Sequence, residues 1–103
     1  MAQSLGQELG QALANITGLI MVCTSDERPQ LLAQQAQIAG QLQRFVDGVV
    51  DQALPEYVAA TKALGEANAR AVEAKQKLDK IAATIKQIAA AVDKLAALAA
   101  KVA

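Results

Sequence analysis

The sequence predicts an all-α fold in which a helical hairpin is followed by one long C-terminal helix, within a coiled-coil or helical-bundle assembly. Apolar residues recur every three and four positions along most of the chain, which is the period of an amphipathic helix. The composition is 53% hydrophobic, yet Phe45 and Tyr57 are the only aromatic residues. The two prolines, Pro29 and Pro55, divide the chain into three segments.

The chain has 103 residues, which is enough for one domain and too few for two. Residues 1–103 are therefore predicted to form a single helical domain, with helices at about 4–23, 30–54 and 56–102. Much of the apolar content is alanine, which favours helix but buries little area per residue. Stability must then come from helices that approach closely along extended contacts.

The first segment, from about Ser4 to Cys23, is predicted to be an amphipathic helix with Ser4 as its N-cap. Its apolar positions advance by four and three residues: Leu5, Leu9, Ala12, Ile16, Leu19 and Cys23. Small residues recur at every fourth position: Gly6, Gly10, Ala14 and Gly18. Each glycine costs about 1 kcal/mol of helix propensity relative to alanine. This ridge therefore indicates either a closely packed neighbouring helix, which we favour, or a marginally stable helix.

The first break spans Thr24 to Pro29. Thr24 followed by Glu27 has the spacing of a capping box, whereas Pro29 disfavours helical angles at the residue before it. The start of the second helix is thus left open between these two signals. That helix is predicted to run to Leu54, and Pro55 then marks a tight turn before the third helix. A kink in one long rod is the competing interpretation.

The third segment carries the most specific pattern. From Tyr57 to Val102, every position in a series of three- and four-residue steps is apolar. Such a series predicts one continuous helix with a coiled-coil seam. Its second half is the more hydrophobic, and we define the C-terminal seam as Leu78, Ile81, Ile85, Ile88, Val92, Leu95, Leu98 and Val102.

The predicted helix lengths leave that seam uncovered. At 1.5 Å per residue, the first two helices would be roughly 30 and 37 Å long and the third roughly 70 Å. The two short helices would cover only half of the long one, and a monomer rarely exposes an apolar stripe of this size. The sequence therefore predicts a homo-oligomer or a complex with a helical protein partner. Alanine rather than charge flanks the seam, which favours a multi-helix bundle over a two-stranded rod.

Net charge is zero but unevenly divided, since residues 1–54 hold five acids and two bases and residues 55–103 hold five acids and eight bases. Complementary packing of the two halves is favoured over a basic tail for nucleic acid or anionic lipid. Nucleic-acid binding is further disfavoured because Asp79 interrupts the cluster of Lys75, Lys77 and Lys80, and neither aromatic residue lies near it.

No catalytic, cofactor or metal site is predicted. The chain has no histidine, and one cysteine can form neither an intrachain disulfide nor a cysteine-based zinc site. Glycine-rich phosphate loops and nucleophile elbows are absent from the sequence. Asp47 and Asp51 are one helical turn apart, but a solvated acidic face is the favoured interpretation. We expect no small-molecule substrate.

The N-terminus lacks the basic region and the long apolar stretch of a signal peptide, and no stretch approaches the ~20 apolar residues of a membrane span. A cytoplasmic location is expected, with the membrane surface or export by a signal-less route as alternatives.

The leading hypothesis is a non-enzymatic structural or interaction protein that uses the C-terminal seam. The alternative is a membrane-active or lipid-surface-coating protein, because the chain from Ile81 combines a broad apolar face with a lysine-bearing ridge.

Overall fold

The computed structural model of the protein describes residues 4–47 and 53–102, with side chains for residues 4–45 and 53–101. These residues form four α-helices and no strand. The helices are α1 (Leu5–Val22), α2 (Arg28–Asp47), α3 (Pro55–Gln76) and α4 (Ile81–Val102), with a 3₁₀ turn at Leu78–Lys80 before α4. The all-α class predicted from the sequence is confirmed.

Helix α1 begins at the predicted cap. The Ser4 hydroxyl accepts a hydrogen bond from the Gln7 backbone N–H at 3.2 Å, and the Gln7 side chain accepts one from the Ser4 N–H at 2.9 Å. This reciprocal pair satisfies two backbone donors at the helix start. The predicted apolar stripe is the buried face of α1, formed by Leu5, Leu9, Ala12, Ile16 and Leu19.

Both predicted breaks are present. Thr24 and Glu27 form the reciprocal bonds of a capping box, at 3.0 and 3.2 Å. Helix α2 then begins at Arg28, two residues before the predicted start, because a proline in the first helical turn gives up no intrahelical bond. Helix α3 begins at Pro55, one residue before the predicted start, while Leu54 adopts extended angles and is not helical.

The predicted continuous helix over residues 56–102 is wrong. Lys77 has φ −128° and ψ 90°, which are extended angles, and α4 folds back against α3. The longest dimension of the molecule is 38 Å, about half of what the third segment would span as a single helix. The third segment is therefore a helical hairpin of two 22-residue helices, similar in length to α1 and α2.

The reason for the fold-back is energetic. A break in a helix gives up a few backbone hydrogen bonds, each of which contributes about 0.5–1.5 kcal/mol net. Burial of one large apolar side chain contributes about 1.5–3 kcal/mol, and the fold-back buries five on α4: Ile81, Ile85, Ile88, Leu95 and Leu98. A heptad pattern identifies the apolar face of a helix, but it does not say whether the helix that covers this face belongs to the same chain.

The four helices pack as a bundle of two antiparallel hairpins, α1–α2 and α3–α4. Helices α1 and α3 lie side by side and parallel, since the backbone N–H of Leu5 donates to the hydroxyl of Tyr57 at 3.1 Å and Asn15 bonds to Asn68. Helix α4 packs extensively on α3 and lightly on α2. No helix in the described ranges has the length and hydropathy needed to cross a bilayer.

Candidate interaction surface

The C-terminal seam lies mostly in the interior of the bundle. Five of its members are buried: Ile81, Ile85, Ile88, Leu95 and Leu98. Val92 is half-buried against this core, and the side chain of Val102 lies outside the described residues. Leu78 alone among the described members is exposed, at 53%. The expectation of an uncovered stripe is therefore wrong for the folded chain, because the chain's own α1, α2 and α3 cover it.

The turn between α3 and α4, residues 77–80, is here called the hinge. Its hydrogen bonds run from the Lys77 N–H to the Glu73 carbonyl and from the Lys80 N–H to the Lys77 carbonyl, both at 3.0 Å. No glycine or proline occurs in it, and Lys77 is its one residue with extended angles. The three- and four-residue spacing of the seam continues through it from Ala74 to Leu78 and Ile81. The hinge thus interrupts the helix without interrupting the pattern.

An ion pair spans the hinge. The ammonium of Lys80 contacts the carboxylate of Glu73, and each side chain is about 40% exposed. The hydrogen bond and charge of Lys80, with smaller contributions from Lys77 and Arg70, hold the pKa of Glu73 below its ordinary value. In a continuous helix, residues seven apart are about 10.5 Å apart along the axis. The pair is therefore specific to the folded-back hairpin.

Large exposed apolar side chains concentrate at the end of the bundle that contains the hinge. We define the hinge-end residues as Met21, Val22, Leu32, Val72 and Leu78, which are exposed by 80, 44, 46, 54 and 53%. The remaining large exposed apolar side chain in the described residues is Val58, at the start of α3 and hence at the other end of the bundle. The large exposed apolar side chains of the described residues are therefore unevenly divided between the two ends of the bundle.

Helix α2, which contacts α4 through Gln34, carries buried polar atoms without hydrogen-bond partners. Gln34 is 7% exposed, and its amide nitrogen donates to the Ile85 carbonyl at 2.9 Å. The side-chain oxygens of Gln34 and Gln41 are buried and have no hydrogen-bond partner. Each such atom costs roughly 1–3 kcal/mol. This side of α4 is therefore less well held than the side that packs on α3.

A polar ladder joins α1 to α3. Asn15 donates to the Asn68 side-chain oxygen at 3.0 Å, and Asn68 in turn donates to the carbonyl and carboxylate oxygens of Glu8 at 3.1 and 2.9 Å. The ammonium of Lys75 donates to the Asn15 oxygen at 2.7 Å. Sequence reasoning missed these residues, because nothing in the spacing indicated that α1 and α3 are neighbours.

The small-residue ridge of α1 does not receive a helix of the same chain. A Cβ added to Gly6 or Gly10 would have no atom within 4 Å, and Ala14 is exposed. At Gly18 the added Cβ would lie 2.9 Å from the Cε of Lys75. The expected close packing within the bundle is therefore wrong at three of the four positions. The fourth accommodates a lysine side chain rather than a helix backbone.

Within residues 4–45 and 53–101 no three cysteine or acidic side chains come together in a way that could hold a metal ion. The pair of Asp47 and Asp51 lies outside the described side chains. Comparison of the chain with protein-family models, curated proteins and solved structures gave no significant match.

Proposed function

We propose that the protein is a non-enzymatic interaction protein that binds another helix, from a second copy or from a helical partner, through the C-terminal seam. The observation that carries this proposal is the hinge, where the apolar pattern continues although the helix is interrupted. Helix α4 is held in place by side-chain packing, by one short turn, and by side-chain hydrogen bonds between Gln34 and the Ile85 carbonyl and between Thr84 and the Arg70 carbonyl. It can therefore release its seam to a helix outside its own bundle.

The contacts of α4 with α2 support this direction of release. The buried side-chain oxygen of Gln34, whose amide nitrogen contacts α4, remains without a partner, so separation of α4 from α2 returns that oxygen to water and lowers the cost of opening. By contrast, α4 packs closely against α3, whose buried face is lined with small residues: Ala60, Ala67, Ala71 and Ala74. We therefore expect the partner helix to insert on the side of α4 that faces α2, or to take the place of α4 in the bundle.

Leu78 allows a test that leaves the core intact. Most other seam residues are buried, so their replacement by aspartate would unfold the monomer as well as abolish binding. Leu78 is half exposed, and Leu78→Asp is expected to change the stability of the monomer little while placing a charge in the seam. Val58→Asp is a matched control, because Val58 is 56% exposed and lies at the opposite end of the bundle.

Two measurements on the full chain test the proposal. Sedimentation equilibrium reports self-association, and anisotropy of a labelled peptide of residues 78–102 reports binding of a helix in trans. We expect a mass above the monomer or binding of the peptide at tens of micromolar, with loss on Leu78→Asp and no change on Val58→Asp. A chain that stays monomeric and leaves the peptide unbound would contradict the proposal.

The second candidate is a lipid-coating protein that uses the same seam. The observation that favours it is the ridge of exposed lysines on the outer face of α4, at Lys86, Lys94 and Lys101. Interfacial helices combine an apolar face with such a ridge. Flotation with anionic and neutral vesicles separates the candidates. Binding to anionic vesicles with loss on Leu78→Asp supports this function, and a wholly unbound protein rules it out.

A further inference from the structure

We propose that two copies of the protein exchange α4, so that α3 and α4 of each copy join into one continuous helix and the two long helices pair antiparallel about their hinges. This inference rests on the proposed function and specifies a second copy of this chain as the partner.

The hinge supplies the first argument. Every residue from Gln76 to Ile81 can adopt helical angles, since neither glycine nor proline occurs there. Only Lys77 departs far from a helical conformation. Because Ala74, Leu78 and Ile81 keep the spacing of the seam, the joined helix would carry the seam on one face. Leu78, which the monomer leaves half exposed, would then enter this face.

The exchange conserves the core. In the monomer α4 runs antiparallel to α3, and the α4 of a second copy can occupy the same groove in the same direction. Buried side chains such as Ile88 and Leu95 would keep their surroundings, and Gln34 would donate to the Ile85 carbonyl of the other copy. Apart from the entropy lost when two molecules associate, the free energies of the two forms therefore differ through the hinge and through contacts near it.

The hinge-end residues supply the second, independent argument. Two bundles joined by straight helices would face each other at their hinge ends, separated by about 6 Å for the four hinge residues. The dyad places the end of α1 of one copy opposite the start of α2 of the other. Met21, Val22 and Leu32, which lie near the turn between α1 and α2, would then be close to this junction, and Leu78 would face its own counterpart. The exchange would bring together the two ends that carry most of the large exposed apolar side chains of the described residues.

The ion pair between Glu73 and Lys80 opposes the exchange, because a continuous helix separates the two residues. The translational and rotational entropy lost when two molecules form one dimer opposes the exchange as well. The balance therefore depends on protein concentration, with the monomer favoured by dilution and the exchanged dimer favoured by concentration or by refolding at high concentration.

A disulfide reports the exchange directly. Ala59 on α3 and Ala97 on α4 line the same shallow surface pocket. In the full chain with Cys23→Ser, oxidation of the pair Ala59→Cys and Ala97→Cys is expected to link the two positions within one chain in the monomer. In the exchanged dimer the same link joins two chains and gives a dimer band without reductant. A dimer that associates side by side gives only monomer bands.

Leu78→Pro is a variant that should block the exchange while leaving the monomer folded. The Leu78 N–H takes no part in the hydrogen bonds of the hinge, and Lys77 already has angles close to those of a residue that precedes proline. The substitution therefore suits the monomer. Inside a continuous helix it removes a hydrogen bond and creates a clash, and the dissociation constant of the dimer should rise at least about a hundredfold.

Sedimentation velocity of the refolded full chain, its Leu78→Pro variant and the cysteine-paired chain completes the test. We expect an elongated dimer with an interchain link, and a compact monomer with an intrachain link when Leu78→Pro is added. A dimer that keeps intrachain links and tolerates Leu78→Pro overturns the exchange but leaves the proposed function standing. A chain that stays monomeric at every concentration overturns both the exchange and self-association, whereas peptide binding would still support a helical partner.

Discussion

Glu73 on α3 accepts a hydrogen bond from Lys80 across the hinge, and the pair exists only while α4 is folded back. Because Lys80 holds the pKa of Glu73 below its ordinary value, the pair stabilises the hairpin above the pKa of an unfolded glutamate, about 4.3. This contribution is lost as the pH falls through the lowered pKa. Both side chains are partly exposed, so the contribution is modest.

Glu73→Gln is expected to lower the stability of the monomer near neutral pH and to raise the fraction of dimer. Other carboxylates titrate over the same range, so the informative quantity is the difference between the variant and the parent chain. That difference should vanish as the pH falls below the pKa of Glu73. Urea denaturation and sedimentation velocity from neutral to acid pH measure it. Glu66→Gln, on an exposed part of α3, is the control and should show no such difference.

Asn68→Ala is expected to lower the free energy of unfolding by roughly 1–3 kcal/mol. The substitution removes the acceptor of the Asn15 amide and the donor to Glu8, and it leaves buried polar atoms unpaired. Urea denaturation gives the value, and the double variant with Asn15→Ala should lose less than the sum of the single variants. Gln37→Ala, at an exposed position, should change stability little. Equal losses of stability in Asn68→Ala and Gln37→Ala would contradict a stabilising role of the ladder.

Gly10→Ala is expected to stabilise the protein by up to about 1 kcal/mol, the difference in helix propensity. An added Cβ meets nothing at this position, whereas at Gly18 it presses on the Lys75 side chain that reaches Asn15. Gly18→Ala should therefore gain less. Thermal or urea denaturation compares the two variants. If Gly10→Ala instead dissociates an oligomer, the ridge packs against another molecule.

Gln41→Leu is expected to raise the free energy of unfolding by roughly 1 kcal/mol, because it removes a buried oxygen that has no partner. The substitution should also tighten the contact of α2 with α4 and slow the appearance of the interchain disulfide. Gln37→Leu is exposed and should change stability by less than about 0.5 kcal/mol. A loss of stability in Gln41→Leu would show that the glutamine oxygen is satisfied in solution.

Sequence reasoning located the helices because their signals are local. The cap at Ser4, the capping box of Thr24 and Glu27, and the helix start at Pro55 each depend on residues within one turn. The apolar stripe of α1 from Leu5 to Leu19 and five members of the C-terminal seam also proved to be buried. A period of three and four residues is enough to identify which face of a helix avoids water.

The same reasoning could not find the hinge or the neighbours of each helix. Lys77 has no glycine or proline beside it, and the seam pattern is equally satisfied by a straight helix with a partner and by a hairpin. The polar ladder between Asn15 and Asn68 joins residues that are 53 positions apart, and it depends on α1 and α3 lying side by side.

The sequence by itself determined the apolar faces of three helical segments and the requirement that each face be covered. Only the tertiary structure decided what covers them, because burial is a property of the whole assembly of helices and is not encoded within any single turn. In this chain the extended conformation of Lys77 interrupts the predicted continuous helix and lets α4 pack against α3 of the same molecule.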